Sequence, residues 1–325
     1  MIKASNLDRI LDNFLNEIKI LSAALIVDAN GMIIAQKSNK KIDKTIIGAT
    51  MSLLEEAIKR IKKFAESSYS SGTFNTDEYQ LFYLELGGTN PALFVIVVDM
   101  NVNLEKYIPY SYLVAEKVSL ILNNINTNFE LPNFNVDGEL RFKKEQNLIT
   151  DKSYLNKILV LGDERVGKSS LLNTYVNGTF LESYKPTIGV SIFEKELLLT
   201  KRSKVNLYLY DFGGLKSFAK IREFYYKNSK AKVIIIVFDY TQEKSINAIN
   251  KWLEEIKFYN NNNFPCCIIL VGNKIDLLEE RSANKKKVEK IAKLNNCLFF
   301  ETSALTGQGL DEIFMHIAFN IDFYD

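Results

Sequence analysis

The amino-acid sequence predicts an α/β fold in two domains, and three observations carry that prediction. Helical and strand periodicities alternate on either side of a polar stretch, Thr127 to Lys152, that sustains neither period. In the second half, short apolar runs each end in a polar motif, as buried parallel strands do when they deliver side chains to one edge of a sheet. One of those runs feeds a glycine-rich loop that opens an amphipathic helix. A length of 325 residues suits two domains at roughly 150 each.

Composition narrows the function classes. Hydrophobic residues make up 47% and charged residues 25%, enough for an ordinary packed core. With 15 Gly and 5 Pro, the chain holds about half the usual share of ~12%, which excludes collagen-like and low-complexity architectures. The net charge of +2 draws the chain neither to nucleic acid nor to a membrane surface. Three cysteines, two of them adjacent (Cys266, Cys267, Cys297), read as buried reduced thiols rather than a disulfide or zinc framework. A lone histidine, His316, excludes a Ser-His-Asp triad and reads as a helix-surface or packing residue with no catalytic role. Charges throughout the first 30 residues leave no secretory h-region. The longest apolar runs, such as Val233 to Phe238, fall far short of the ~20 residues that span a bilayer, so the expectation is a cytoplasmic protein.

Each element of the first half follows from its pattern. Leu7, Ile10, Leu11, Phe14, Leu15 and Ile18 recur at helical spacing. Ala23 to Asp28 and Met32 to Gln36, joined by Ala29-Asn30-Gly31, form a hairpin. A second helix runs from Asp43 to Ala65. Strands follow at Tyr69–Phe74, Tyr79–Leu86 and Ala92–Val98, and a third helix at Leu104–Ile125 is disturbed at Pro109. This order, with the hairpin Ile26 to Ala35, resembles the roadblock domain, a relative of the longin fold. The resemblance implies an α+β domain over residues 1–126, with a five-stranded antiparallel sheet and helices, that dimerises or serves as a platform for small GTPases. An unrelated small α/β domain is the alternative. Residues 127–153 read as a connector, with Glu139 to Lys143 able to pair as a short strand.

The second half carries the chemistry. Ile158 to Leu161 leads into Gly162-Asp163-Glu164-Arg165-Val166-Gly167-Lys168-Ser169, followed by Ser170 and a helix with Leu171, Leu172 and Tyr175. Such a loop wraps phosphates with backbone N–H groups, and the helix N-terminus adds its positive dipole end. Lys168 would then reach the β- and γ-phosphates, and the Ser169 hydroxyl would ligate Mg2+. Four more motifs follow at strand ends: Tyr184-Lys185-Pro186-Thr187-Ile188-Gly189, Asp211-Phe212-Gly213-Gly214, Asn273-Lys274-Ile275-Asp276 and Glu301-Thr302-Ser303-Ala304. Together they resemble a Ras-superfamily small GTPase over residues 154–325. The flavour is Rab-like, given Tyr184 to Val190, Tyr225-Tyr226 and Trp252.

The resemblance implies a mixed, mostly parallel six-stranded sheet with helices on both faces, and GTP/GDP with Mg2+ as ligands. Thr187 would ligate Mg2+ in the GTP state, Asp211 would hold it through water, and Gly214 would donate its N–H to the γ-phosphate. Asn273 would face the guanine edge, Lys274 would lie along the base plane, and Asp276 would accept from guanine N1–H and N2–H2. Ser303, Ala304 and Leu305 would line the base through backbone groups. Adenine would leave the Asp276 carboxylate unpaired, so an ATP-using P-loop kinase is disfavoured. Protein effectors and regulators of the GTPase state are the implied partners.

Two departures concern hydrolysis. Leu215 stands where the family usually has a water-orienting Gln, which predicts slow turnover or a nucleotide-binding scaffold with little or none. Glu164 and Arg165 stand at loop positions that are often small. Arg165 either adds positive charge to the transition state or points to solvent. The C-terminal residues Asn320 to Asp325 offer no Cys for a lipid anchor. Lys285, Lys286, Lys287, Lys290 and Lys293 read as a solvated helix face or a contact for acidic lipid.

Overall fold

The computed structural model describes residues 4–28, 31–40, 71–87, 90–125, 127–134, 140–141, 153–180, 186–200, 203–260, 266–277 and 282–320. Contacts divide the chain into two units, Met1–Lys143 and Lys144–Asp325.

In the first unit, helix α1 (Ala4–Glu17) turns Leu7, Ile10, Leu11 and Phe14 fully inward. Strands β1 (Ala23–Asp28) and β2 (Ile33–Ser38) pair antiparallel with a register shift between Ile26 and Val27. Gly31 takes φ +81° in the turn between them, and Met32 N donates to Asp28 Oδ1 at 2.8 Å. Strands β3 (Ser71–Asn75), β4 (Tyr79–Leu86) and β5 (Ala92–Asp99) complete an antiparallel sheet in the order β2-β1-β5-β4-β3. One face gathers Leu25, Val27, Leu93 and Val95. The other meets the helices, where Phe14 lies 5.9 Å from Phe94 and 5.8 Å from Tyr110, ring centroid to centroid. The helix expected over 43–65 lies outside the described residues.

Two expectations change here. Helix α2 (Ile108–Leu122) carries Pro109 in its first turn instead of being disturbed by it, because proline there gives up an N–H that has no partner anyway. A separate 3-10 turn covers Leu104–Lys106. The start of the expected connector also packs on the first unit. Asn13 Nδ2 donates to Phe129 O at 2.7 Å, Tyr110 OH donates to Pro132 O at 2.5 Å, and Arg9 lies 4.8 Å from the Phe129 ring centroid. Strand β6 (Asn133–Phe134) pairs with β7 (Leu140–Arg141), within the stretch the sequence marked as able to pair.

The second unit is a six-stranded sheet. Strands β8 (Ser153–Leu161), β9 (Val190–Thr200), β10 (Ser203–Phe212), β11 (Val233–Asp239), β12 (Cys267–Asn273) and β13 (Leu298–Glu301) take the order β13-β12-β11-β8-β10-β9, with β9 alone antiparallel to its neighbour. Strand β8 begins five residues before the apolar run that announced it, because it pairs with β10 from Ser153 onward. Ile158, Val160, Leu209, Ile235 and Val271 face helices α3 (Lys168–Asn177) and α7 (Leu310–Phe319) through Leu171, Leu172, Ile313 and Phe314. On the opposite face Tyr210 and Phe212 meet Tyr225 of α4 (Ala219–Asn228) at 5.4 and 5.2 Å between centroids. Helices α5 (Glu243–Asn260) and α6 (Ser282–Leu294) complete the unit. Burial on both faces explains why these strands read as unbroken apolar runs. No described helix is long and apolar enough to cross a membrane.

Candidate functional site

The carboxyl ends of β8, β10, β11 and β12 deliver their polar residues to one edge of the sheet. After β8, Gly162 takes φ +139°, where a Cβ would collide with the Val237 carbonyl oxygen, and Gly167 takes φ +96°, where one would collide with the Asn273 amide. Only glycine fits either position. Lys168 opens α3 and is 6% exposed; its Nζ donates to Gly162 O at 2.8 Å and Asp163 O at 2.7 Å. Burial lowers the ammonium pKa to about 8, against the pull of Asp211 and Asp163. Glu164 and Arg165 are exposed, and Arg165 sits at φ +61°. Lys274 is a second non-glycine residue at positive φ, +65°, so this edge holds backbone strain.

Ser169, Thr187 and Asp211 come together from three segments. Ser169 Oγ donates to Asp211 Oδ2 at 2.5 Å, Thr187 Oγ1 donates to the same oxygen at 3.0 Å, and the two hydroxyl oxygens lie 2.9 Å apart. Asp211 is fully buried, and its Oδ1 has no hydrogen-bond partner. Burial raises its carboxyl pKa, while Lys168, Ser169 and Thr187 hold it down. A buried carboxylate oxygen with an open valence, beside two hydroxyls, is a hard-oxygen donor set that fits Mg2+. Among the described residues no group of three or more His, Cys, Asp or Glu side chains could by itself hold a metal ion.

At the other end, Asn273 is fully buried and braces three segments. Its Nδ2 donates to Val166 O at 3.0 Å, and its Oδ1 accepts from Ala304 N at 3.0 Å and Thr302 Oγ1 at 3.3 Å. One amide hydrogen remains for a base. Ser303 Oγ donates to Asp276 Oδ1 at 2.5 Å, while Asp276 itself is exposed, as is Leu305 at 54%. Lys274 Nζ donates to Asp239 Oδ2 at 2.5 Å and to Arg165 O at 2.9 Å.

Asp239 is a residue that the motif reading passed over. It is fully buried at the end of β11 and orients the lysine of the Asn-Lys-x-Asp motif. The signal was its place, as the lone acid closing an apolar strand. Gly214 presses its backbone on the glycine-rich loop, where a Cβ would stand 2.5 Å from Glu164 N and 2.7 Å from Gly162 O. Gly213 N donates to Gly189 O at 2.9 Å, joining the loop after Asp211 to the loop that carries Thr187. Tyr184 and Lys185 lie outside the described residues.

Away from this edge, the His316 ring lies 5.5 Å from Phe300, centroid to centroid. Lys285 pairs with Glu301 at 2.6 Å, and Lys287 pairs with Glu243 at 3.3 Å. The three cysteines are half-buried.

A glycine-rich loop opening a helix at the carboxyl end of a mostly parallel sheet defines a nucleotide-binding P-loop protein. Residues 157–322 match the Ras family, and the chain belongs to that family. Ras-related protein Rab-4 of Dictyostelium discoideum is 36% identical over 162 residues, which span 50% of this chain and 77% of that protein. Ras-related protein Rab-1 of Theileria parva is 37% identical over 166 residues, 51% of this chain and 73% of that protein. Ras-related protein Rab-7a of Paramecium octaurelia is 32% identical over 176 residues, 53% of this chain and 83% of that protein. The second unit is thus a Rab-like small GTPase domain.

Proposed function

We propose that the chain is a guanine-nucleotide switch that binds GTP and GDP with Mg2+ and turns GTP over slowly, with a first unit that dimerises the protein or biases the switch. The observation that carries this reading is the convergence of Ser169, Thr187 and Asp211 beside Lys168, on the sheet edge that also holds Asn273 and Asp276.

In this reading the backbone of Gly162 to Ser170 cradles the phosphates, and the Lys168 ammonium leaves its two loop carbonyls to meet β- and γ-oxygens. Ser169 and Thr187 offer hydroxyl oxygens to the cation, and Asp211 holds it through water. Magnesium bound there supplies positive charge against the β- and γ-phosphates. Gly214 offers its amide to the γ-phosphate, so GTP alone adds a ligand contact to the loops of Thr187 and Gly214, which already meet through Gly213 and Gly189. Asp276 accepts from guanine, Lys274 covers the base plane, and the Ser303 to Leu305 backbone bounds it. The hydroxyl of Ser303 fixes one oxygen of Asp276 and leaves the other to the base.

Leu215 has no group to orient an attacking water, which favours a second reading, a GTP-binding scaffold with little hydrolysis. Single-turnover GTP hydrolysis by the wild type and Leu215→Gln decides between causes. The expected outcome is an acceleration of about 10- to 1000-fold in the variant, the worth of one preorganised hydrogen-bonding group. No acceleration removes Leu215 as the reason for slow turnover. Nucleotide identified in freshly purified protein tests the base: adenine nucleotide in place of guanine would overturn the reading. The helix-strand order of the first unit, with its five-stranded antiparallel sheet, supports the roadblock-like assignment.

A further inference from the structure

Arg222 lies on α4 and is 3% exposed, which is costly for a guanidinium unless every donor is used. Its Nε donates to Glu255 Oε1 at 2.7 Å and its Nη2 to Glu255 Oε2 at 3.0 Å, a bidentate fork between α4 and α5. Its Nη1 donates to Leu215 O at 2.9 Å and to Gly213 O at 3.4 Å. Those two carbonyls flank Gly214. The guanidinium carbon also lies 4.9 Å from the centroid of the Trp252 ring, whose Nε1 donates to Asp163 Oδ1 at 3.0 Å. Tyr226 OH donates to Glu255 Oε1 at 3.0 Å and steadies the carboxylate.

A continuous chain of contacts therefore runs from the glycine-rich loop, through Trp252 and Arg222, to the backbone on both sides of Gly214. A buried bidentate pair is weak as a source of stability but strong as a source of geometry. Here the geometry it fixes is that of three backbone units, Gly213 to Leu215.

We propose that Arg222, clamped by Glu255 and stacked on Trp252, is a positioning residue that holds the Gly213–Leu215 backbone ready for the γ-phosphate and so sets the preference for GTP over GDP. The inference rests on the reading of this site as a guanine-nucleotide switch. A loop already held in its binding geometry spends less of the γ-phosphate contact on ordering. GDP carries no γ-phosphate and gains nothing from the clamp, so the clamp acts on one nucleotide and not the other.

The test uses the full chain and measures dissociation constants for GDP and for a non-hydrolysable GTP analogue, both with Mg2+. Arg222→Ala weakens the analogue by about 10-fold while GDP affinity stays within about twofold, which also shows that the variant is folded. Glu255→Gln moves the ratio in the same direction by less, since its amide oxygen still accepts from one guanidinium nitrogen while its NH2 cannot accept from the other. Arg222→Lys, one ammonium in place of a planar fork, falls between. Trp252 is the sole tryptophan of the chain and gives a reading without nucleotide: its emission changes in Arg222→Ala once the guanidinium leaves the ring. Equal weakening of both nucleotides, or of neither, overturns the inference. Wild-type protein that binds neither nucleotide overturns the switch reading itself.

Discussion

Each unit is a sheet with helices, yet the two bury different things. Among the described residues the first unit buries Ser22, Ser111 and Glu116 as its polar or charged side chains, while the second buries Lys168, Asp211, Arg222, Asp239 and Asn273, among others. In the first unit Ser22 Oγ donates to Asp99 Oδ1 at 2.8 Å, joining two segments of the sheet, and Ser111 Oγ donates to Tyr107 O one helical turn back at 2.8 Å. In the second, the buried ions face one another across the carboxyl ends of four strands. Burying an ion costs several kcal/mol even after relaxation, so a cluster of them marks a surface shaped for a charged ligand.

The contrast can be broken from either side. The largest effect is expected in the apolar unit. Phe14→Ala removes a fully buried ring and lowers the stability of the first unit by about 3–5 kcal/mol, read from denaturant unfolding of the full chain. In the second unit the largest effect falls on binding instead. Lys168→Ala deletes the two charge-assisted bonds proposed to the β- and γ-phosphates, each worth about 1.5–3 kcal/mol, so affinity for a non-hydrolysable GTP analogue falls roughly 1000-fold by calorimetry.

Thiols sharpen the comparison further, since all three lie in the second unit. Burial raises the Cys297 thiol pKa to about 11 from an ordinary 9.0. A raised thiol pKa means less thiolate below it, so alkylation at pH 8 runs about 100-fold slower in the native chain than in the denatured one. The rate climbs with pH until about 11. The smallest expected effect is at the exposed end of the cleft. Asp276→Asn costs guanine nucleotides about 10- to 100-fold and leaves the weak binding of adenine nucleotides unchanged, measured by competition. A larger loss at Asp276 than at Lys168 would reverse the order of importance between the cleft's two ends.

Much of this was readable without coordinates. The glycine-rich loop was legible because Gly162 and Gly167 occupy positions where backbone sterics exclude every other residue. The same holds for strand ends: an apolar run closed by Asp211 or Asn273 has little freedom in where that side chain emerges. The start of β8 at Ser153 was not legible, since the polar residues before Ile158 join the sheet only through their pairing with β10. Pro109 was legible as a break in helical pattern but not as a first-turn residue, because a proline alone does not reveal which side of it the helix lies on. Residues 127–134 read as a tether, having no period, and their docking through Phe129 and Pro132 depends on side chains more than a hundred positions away at Asn13 and on the nearer Tyr110.

The sequence by itself determined the two-part α/β plan, the glycine-rich loop and the set of motif residues, because each depends on local sterics, hydropathy period or a fixed short spacing. The tertiary structure alone decided that Ser169, Thr187 and Asp211 share one oxygen, that Asp239 holds Lys274, and that Arg222 reaches Glu255 from 33 positions away. Those contacts join segments distant in the chain. Their geometry is set by which strands lie side by side and how the helices cross them, and neither is written in any one stretch of residues.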